Sequence, residues 1–426
     1  MILYRGEILP SEKQDSIIKS IGGFTSAALF GEHASRGELL DAADALSALI
    51  SEGKYDDDIR AFSEDELSYY RQTAARLLKR ENIERRLKRE LPELYSDNNA
   101  ERITIGIYPL GVLFHIAAGN AEALPAYSVF EGLVTGNVNI LKLPQADNGI
   151  TVKLLSEFIR LCPKAADMIT VFDTPSSDIE AVKRLSLAAD GIVIWGSDAA
   201  VKAVRCSAPV NAKLIEWGHR LSFAYISEYD GCEKELAALA RHIITTKQLL
   251  CSSCQTIFID TVSLSEIKSF SERFLEVLER EAELCPINDI GAAAEQSVAS
   301  YCARLERAVS GSGSNERGRR TLRGERCSVT VCADTRLELS DMYGNVLVKR
   351  LPREKAPMSL RRSKGLLQTA GLICRESERA ELSRMLIMSG VNRVTRAGDM
   401  SESFDGEAHD GEYPLRRYVR YADTQL

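Results

Sequence analysis

The chain of 426 residues contains no apolar run near the ~18 residues that a membrane-spanning helix requires. Its first residues, Met1-Ile2-Leu3-Tyr4-Arg5-Gly6-Glu7, lack the charged stretch and apolar stretch of a secretory leader. Blocks of one charge sign are also missing. The net charge of -7 is dispersed, and the basic cluster from Arg317 to Arg323 reads as a solvated loop. The concentrated positive face that nucleic-acid binding needs is absent. There is no internal repeat of fixed period, no G-x-G-x-x-G, and no second C-x-x-C beside Cys251 and Cys254. The ten cysteines are scattered, and a chain of this length buries its cores without disulfides. What remains is a soluble, cytoplasmic protein of two or three domains with mostly reduced thiols.

Alternating strand and helix patterns fill most of the chain. Residues 39–49 have helical spacing. The charged stretch 57–94 carries an apolar stripe of Leu67, Leu77, Leu78, Ile83 and Leu87, one or two amphipathic helices. Strands are predicted at 103–108, 112–117, 138–141, 169–172 and 191–195. Helices are predicted at 125–135, 148–162, 178–185 and 198–205. Strands separated by helices of ten to fifteen residues predict a parallel, doubly wound sheet. A second block starts near Leu221, with strands at 221–226, 256–260, 328–331 and 346–348. Its helices are predicted at 234–246, 264–284 and 375–388. A Gly/Ser/Arg-rich loop is expected at 310–320, and the last thirty residues read as turns and an extended tail. The expected division is a dinucleotide-binding domain at 1–221, a catalytic domain at 222–397, and a tail at 398–426 returning to the first domain.

Four spots can carry chemistry, and each also has a plainer reading. Cys251, in Gln248-Leu249-Leu250-Cys251-Ser252-Ser253-Cys254-Gln255, lies between a helix and a strand, where a thiol can face a cleft. It can equally be a small buried hydrophobe or, with Cys254, a dithiol or half a zinc site; His242 is the only histidine close in sequence. Asn120, after the strand ending at Ala117, can donate to a developing oxyanion or simply cap a turn. Lys142 falls at the C-terminal end of a buried strand, where open α/β sheets bind ligands, or sits on the surface beyond it. Trp195-Gly196-Ser197 leads from strand to helix and can offer backbone N–H groups to a phosphate, or is a tight turn with a cap.

Taken in order, these spots resemble the aldehyde dehydrogenase superfamily, and within it the LuxC-type acyl-CoA reductases that supply long-chain aldehyde. The resembling runs are His115-Ile116-Ala117-Ala118-Gly119-Asn120, Gly132 to Lys142, Ile194 to Ser197, Gly218-His219-Arg220-Leu221-Ser222-Phe223, Gln248 to Gln255 and His409-Asp410-Gly411. Asn120 and Lys142 are 22 positions apart, and Glu216 and Cys251 are 35 apart, close to the family's spacing. The resemblance implies an aldehyde dehydrogenase-like α/β fold with two Rossmann-like, doubly wound domains, an oligomerisation segment and a homo-oligomer. It implies Cys251 as nucleophile, with Asn120 and the Cys251 backbone N–H holding the oxyanion. Cys254 stands where the family usually has proline.

By the same resemblance, Lys142, Pro144, Gln145, Trp195, Gly196, Ser197 and Gly218 would bind the cofactor. The neutral Gln145 leaves room for a 2′-phosphate and favours NADP, with NAD as the second choice. The substrate would be acyl-CoA or an acyl-protein, with an acyl-protein synthetase as a partner, and no metal is expected. Glu216 keeps a second activity open, hydrolytic aldehyde oxidation with this acid as the base. The same fold would also suit reduction of an acyl phosphate, or acyl carriage without turnover.

Overall fold

The computed structural model describes residues 1–59, 64–92, 103–117, 123–285, 318–402 and 407–425, with isolated positions between 294 and 305. The contacts divide the chain into two units after Gly218; the segment following residue 403 groups with the first and residues 62–66 with the second.

The first unit opens with a hairpin, β1 (Ile2–Tyr4) and β2 (Glu7–Leu9). Its two-residue turn puts Arg5 and Gly6 at φ 52° and 77°, the paired positive angles that a tight hairpin turn requires. Strands of three residues are too short to show a period, so the sequence pattern hides them. Two helices follow, α1 (Gln14–Leu29) and α2 (Arg36–Ser51). Ser35 and Glu38 form a capping box that starts α2. The charged stretch folds as α3 (Glu64–Leu78) and α4 (Arg80–Glu90).

The strand predicted at 103–108 forms as β3 (Ile103–Pro109), but outside the main sheet. The main sheet continues with β4 (Val112–Ile116), α5 (Leu124–Val134), β5 (Val138–Lys142), α6 (Ile150–Leu161) and β6 (Ile169–Phe172). It is completed by α7 (Ile179–Leu187), β7 (Gly191–Trp195), α8 (Asp198–Ser207) and β8 (Lys213–Trp217). The strand order is β2-β1-β6-β5-β4-β7-β8, with β6 to β8 parallel.

Alternate residues of these strands feed two cores. Leu113, Leu141 and Val193 pack with α2, α5 and α6, while Phe114, Ile140 and Ile192 pack with α1, α7 and α8. That two-sided burial is the doubly wound arrangement. Gly132 lets α5 approach β5: a Cβ there would lie 1.8 Å from Asn139 Oδ1.

The second unit begins with β9 (Leu221–Ile226), α9 (Glu233–Thr246), β10 (Cys254–Ile259) and α10 (Leu264–Leu284). Next come β11 (Arg319–Arg323), β12 (Ser328–Cys332), β13 (Asn345–Arg350) and α11 (Ala356–Leu360). β14 (Leu367–Ile373), α12 (Arg379–Met388) and β15 (Arg393–Arg396) complete it. The order is β11-β12-β13-β10-β9-β14-β15, parallel except for β11. α9 and α10 cover one face with Phe270, Phe274 and Leu278, and α11 and α12 cover the other with Leu360, Leu382 and Leu386. The loop expected at 310–320 gives way to strand from Arg319; residues 310–317 lie outside those described.

The predicted tail is in part a strand. After α13 (Pro414–Arg417), β16 (Val419–Gln425) pairs antiparallel with all of β3, from Val419 opposite Pro109 to Gln425 opposite Ile103. Polar residues disguise it because a two-stranded ribbon needs no fully apolar strand.

Candidate active site

In the first unit the chain runs β4, β5, β6 toward one side of the sheet, then returns to lay β7 and β8 on the other side of β4. Such a reversal leaves a crevice at the C-terminal strand ends, the position where open α/β sheets bind ligands. Lys142 is the last residue of β5, in register with Ile116 and Phe172. It is only 4% exposed. Among the described residues its hydrogen bond is to Leu143 O at 3.2 Å. Burial pushes the ammonium below its ordinary range, and the charge of Asp173 opposes that shift only in part. A buried cation is costly unless it finds polar partners.

Pro144 and Gln145 form the turn after β5, with Gln145 exposed. Gly196 donates its N–H to Trp217 O at 3.2 Å. Ser197 caps α8, its Oγ accepting from Ala200 N–H at 3.3 Å. The Trp195 ring lies 5.5 Å from Trp217 and 5.2 Å from His409, and its indole N–H donates to Ser128 Oγ at 3.1 Å. Ser128 also meets His115 Nδ1 at 2.7 Å, and Asn139 Oδ1 meets the other ring nitrogen at 3.0 Å. Burial holds His115 down to about 4, so the ring is neutral. This network fixes Trp195 from beneath. Gly218 follows β8 as the unit's last residue before the division.

Glu216 lies on β8 beside Ile194. Both of its carboxylate oxygens are taken by Arg205 of α8, the Nε contact at 2.5 Å. The acid is tied into a two-pronged ion pair, the strongest geometry for such a pair. Asn120 lies outside the described residues.

In the second unit Cys251 is exposed, three residues before β10, and Cys254 is fully buried as the first residue of β10. Burial pushes the Cys254 thiol up to about 12. The C-x-x-C pair is therefore one open thiol and one core residue. The Cys254 N–H donates to His242 Nε2 at 3.3 Å, and burial holds that ring down to about 4.

The loop that carries Cys251 is pinned from below. Lys247 and Gln248 take positive φ, 50° and 62°, which stops α9 and turns the chain. The Gln248 amide donates to Cys254 O at 2.9 Å and Ser340 Oγ at 3.0 Å, and its oxygen accepts from Gly344 N–H at 3.1 Å. Gln255 donates back to Gln248 O at 2.7 Å and accepts from Ser340 Oγ at 2.8 Å. Both glutamines are nearly buried.

The sheet beneath the loop is irregular on both sides of Ser222. β9 pairs Leu221 with Leu367 and Phe223 with Ala370, so Ser222 faces two residues, Gln368 and Thr369. On the other side Ser222 lies opposite Cys254 and Phe223 opposite Thr256, which leaves Gln255 as the extra residue. Bulges are rare in parallel sheets and gather beside active sites, where they re-aim a side chain. Here Ser222 Oγ donates to Cys251 O at 2.7 Å and accepts from Thr369 N–H at 3.1 Å. Gln368 Nε2 lies 3.2 Å from Cys251 Sγ. Sequence reasoning does not reach Ser340 or Gln368, since each is far from Cys251 along the chain and neither sits in a recognisable motif.

A family model described as acyl-CoA reductase (LuxC) matches residues 39–421. The chain belongs to the LuxC acyl-CoA reductase family. Among curated relatives, the long-chain acyl-protein thioester reductase 2 of Photobacterium leiognathi is 26% identical over 153 residues, covering 35% of this chain and 32% of that protein. The long-chain acyl-protein thioester reductase of Photobacterium phosphoreum is 26% identical over 184 residues, or 42% of this chain and 37% of that protein. The chain thus aligns with about a third of the length of these relatives. Among solved structures, a betaine aldehyde dehydrogenase from Staphylococcus aureus in complex with NAD+ superimposes with TM-score 0.71 at 15% identity, covering 97% of this chain and 87% of that one. The fold is aldehyde dehydrogenase-like, as the order of motifs implied. Among the described residues no helix is long and apolar enough to cross a membrane.

Proposed function

We propose that this protein reduces a fatty acyl thioester to the aldehyde through an acyl-enzyme on Cys251, with NADPH as reductant. The observation that carries the reading is the contrast within one loop. Cys251 is exposed with its sulfur met by an amide, while Cys254 is sealed in the core. The nucleophile must be reached by substrate, and only Cys251 of the pair can be.

Residues at the strand ends of the first unit support a dinucleotide site. Lys142 offers a desolvated ammonium, Gly196 and Ser197 lead into the N-terminus of α8, and Trp195 is braced by Ser128. Pro144, Gln145 and Gly218 complete the set. Gln145 sets no anion against a 2′-phosphate, which favours NADPH over NADH. When bound, the cofactor supplies the hydride.

The Cys251 thiolate attacks the thioester carbonyl, and the carbon–sulfur bond to the donor breaks as the donor leaves as its thiolate. By the family resemblance, Asn120 and the Cys251 backbone N–H would hold the oxyanion. After hydride addition the thiohemiacetal on Cys251 collapses, the carbon–sulfur bond breaks, and the aldehyde departs as the thiolate reforms. This sequence requires no activated water. Glu216 is instead engaged in a two-pronged ion pair with Arg205.

The donor is acyl-CoA or an acyl-protein, the latter in keeping with the relatives' names, and assembly into a homo-oligomer and supply by an acyl-protein synthetase belong to the same proposal. The test is NADPH oxidation with acyl-CoAs of increasing chain length, run beside an acyl-protein donor, an acyl phosphate, and aldehyde with NADP+. Oxidation with a thioester and release of aldehyde supports the reading. Activity confined to acyl phosphate, or acid formation from aldehyde without CoA, overturns it.

A further inference from the structure

We propose that Gln368 is a catalytic residue whose side-chain amide stabilises the Cys251 thiolate and aims it for attack. The proposal rests on Cys251 being the nucleophile of the function proposed above. It adds a group that no motif of the chain announces.

Three observations converge. First, Gln368 Nε2 is 3.2 Å from Cys251 Sγ, within the range of an N–H···S hydrogen bond. Second, the side chain is only 8% exposed. Burial restricts the carboxamide, and the contact with the sulfur is part-buried, where a hydrogen bond is stronger than in open water. Third, its aim is set by a defect in the sheet. A regular parallel pairing of β14 with β9 would place one residue opposite Ser222. The structure places two, Gln368 and Thr369. The Thr369 N–H is then taken by Ser222 Oγ, the same hydroxyl that donates to Cys251 O. Ser222 thus locks the bulged strand and the cysteine to each other. Asn392 N–H holds the Gln368 carbonyl at 3.1 Å, which anchors the bulge from the far side.

An amide N–H donates more strongly to a thiolate than to a thiol, so the contact favours the anionic nucleophile. It carries no charge of its own. When the sulfur becomes acylated, the amide loses its anionic partner with no ionic group left unpaired. A lysine or arginine here would activate the thiolate but would leave a buried charge alone after acylation.

The test reads the thiol directly. The full-length protein is treated with iodoacetamide across a pH series, and labelling of each cysteine is followed by peptide mass spectrometry. Gln368→Leu keeps the size and removes the donor. Gln368→Glu keeps the shape and sets an anion against the sulfur. Expected is a Cys251 profile displaced to higher pH by about one to two units in Gln368→Leu, and further in Gln368→Glu. Exposed Cys206 serves as the control and keeps its profile. Where Gln368→Leu does not fold, Gln368→Asn, one methylene shorter, gives the same direction of shift. Superimposable Cys251 profiles in the folded variants and the parent protein overturn the proposal. Because labelling needs no acyl donor or cofactor, a protein that shows the shift but reduces no thioester would refute the function and leave standing only the hydrogen bond by which Gln368 favours the Cys251 thiolate.

Discussion

Replacing Gln248 with alanine tests whether the loop that carries Cys251 is held by its buried amides. The side chain is 1% exposed and makes three hydrogen bonds, to Cys254 O, Ser340 Oγ and Gly344 N–H. Ser340 Oγ keeps Gln255 as a partner in the variant. The Gly344 N–H and the Cys254 carbonyl each lose the contact supplied by Gln248. A buried polar group left unsatisfied costs about 1–3 kcal/mol, so the two together cost about 2–6 kcal/mol. Alanine at the φ of 62° gains nothing that glutamine lacked. Domains are stable by only about 5–15 kcal/mol, so a loss of this size is large. The assay is amide hydrogen exchange over residues 248–255 and 342–345, with helix α10 as internal reference. Opening eased by 2 kcal/mol or more speeds exchange at Ser253 and Gly344 by at least about thirtyfold. Exchange within about threefold of the parent protein, with the Cys251 alkylation rate unchanged, would refute the reasoning that the glutamines fix this loop.

Glu216→Gln leaves thioester reduction within about threefold, because a general base is worth about 10²–10⁴ and none is used here; NADPH oxidation with acyl-CoA measures it, and a hundredfold loss would make Glu216 a working base. Lys142→Met removes a cation that burial disfavours, so thermal stability of the cofactor-free protein is unchanged or higher. The KM for NADPH rises about 10–100-fold with the loss of a charge-assisted contact, and an unchanged KM would remove Lys142 from the cofactor site. His115 and His242 are both held down to about 4 from 6.5. The unfolded chain therefore binds more protons between those values, and stability falls as pH drops from about 6.5 to about 4. Each ring contributes roughly 3 kcal/mol across that window. In His242→Gln, denaturant titrations across this window show a shallower loss of stability than in the parent protein; an equal slope would mean that His242 is not held neutral.

Much of the fold is readable because fully buried parallel strands are short apolar runs between helices. β5 and β7 show this plainly, as Val138–Lys142 and Gly191–Trp195. α5 is visible as an apolar run between Pro125 and Gly136. The pattern fails where burial is one-sided or the element is tiny. The β1–β2 hairpin is held by a turn rather than by periodicity, and polar β16 needs its partner β3 to be recognised. β14 escapes the pattern because Gln368, Thr369, Ala370 and Gly371 dilute its apolar character. That dilution hides Gln368, which meets Cys251 across 117 positions of sequence. Cys251 is singled out by order and spacing of motifs, whereas the burial of Cys254 and the pairing of Glu216 with Arg205 depend on which face of a strand points where. One step of register decides that, and composition does not record it.

The most direct test of the account is to trap the acyl-enzyme. The full-length protein is mixed with a labelled long-chain acyl-CoA without NADPH, quenched in acid and mapped by peptide mass spectrometry, beside Cys251→Ser and Cys254→Ser. The account predicts an acyl group on Cys251 that is absent in Cys251→Ser, retained in Cys254→Ser, and discharged as aldehyde when NADPH is added. Acylation of another residue, or an acyl group on Cys251 that NADPH does not release, would contradict it.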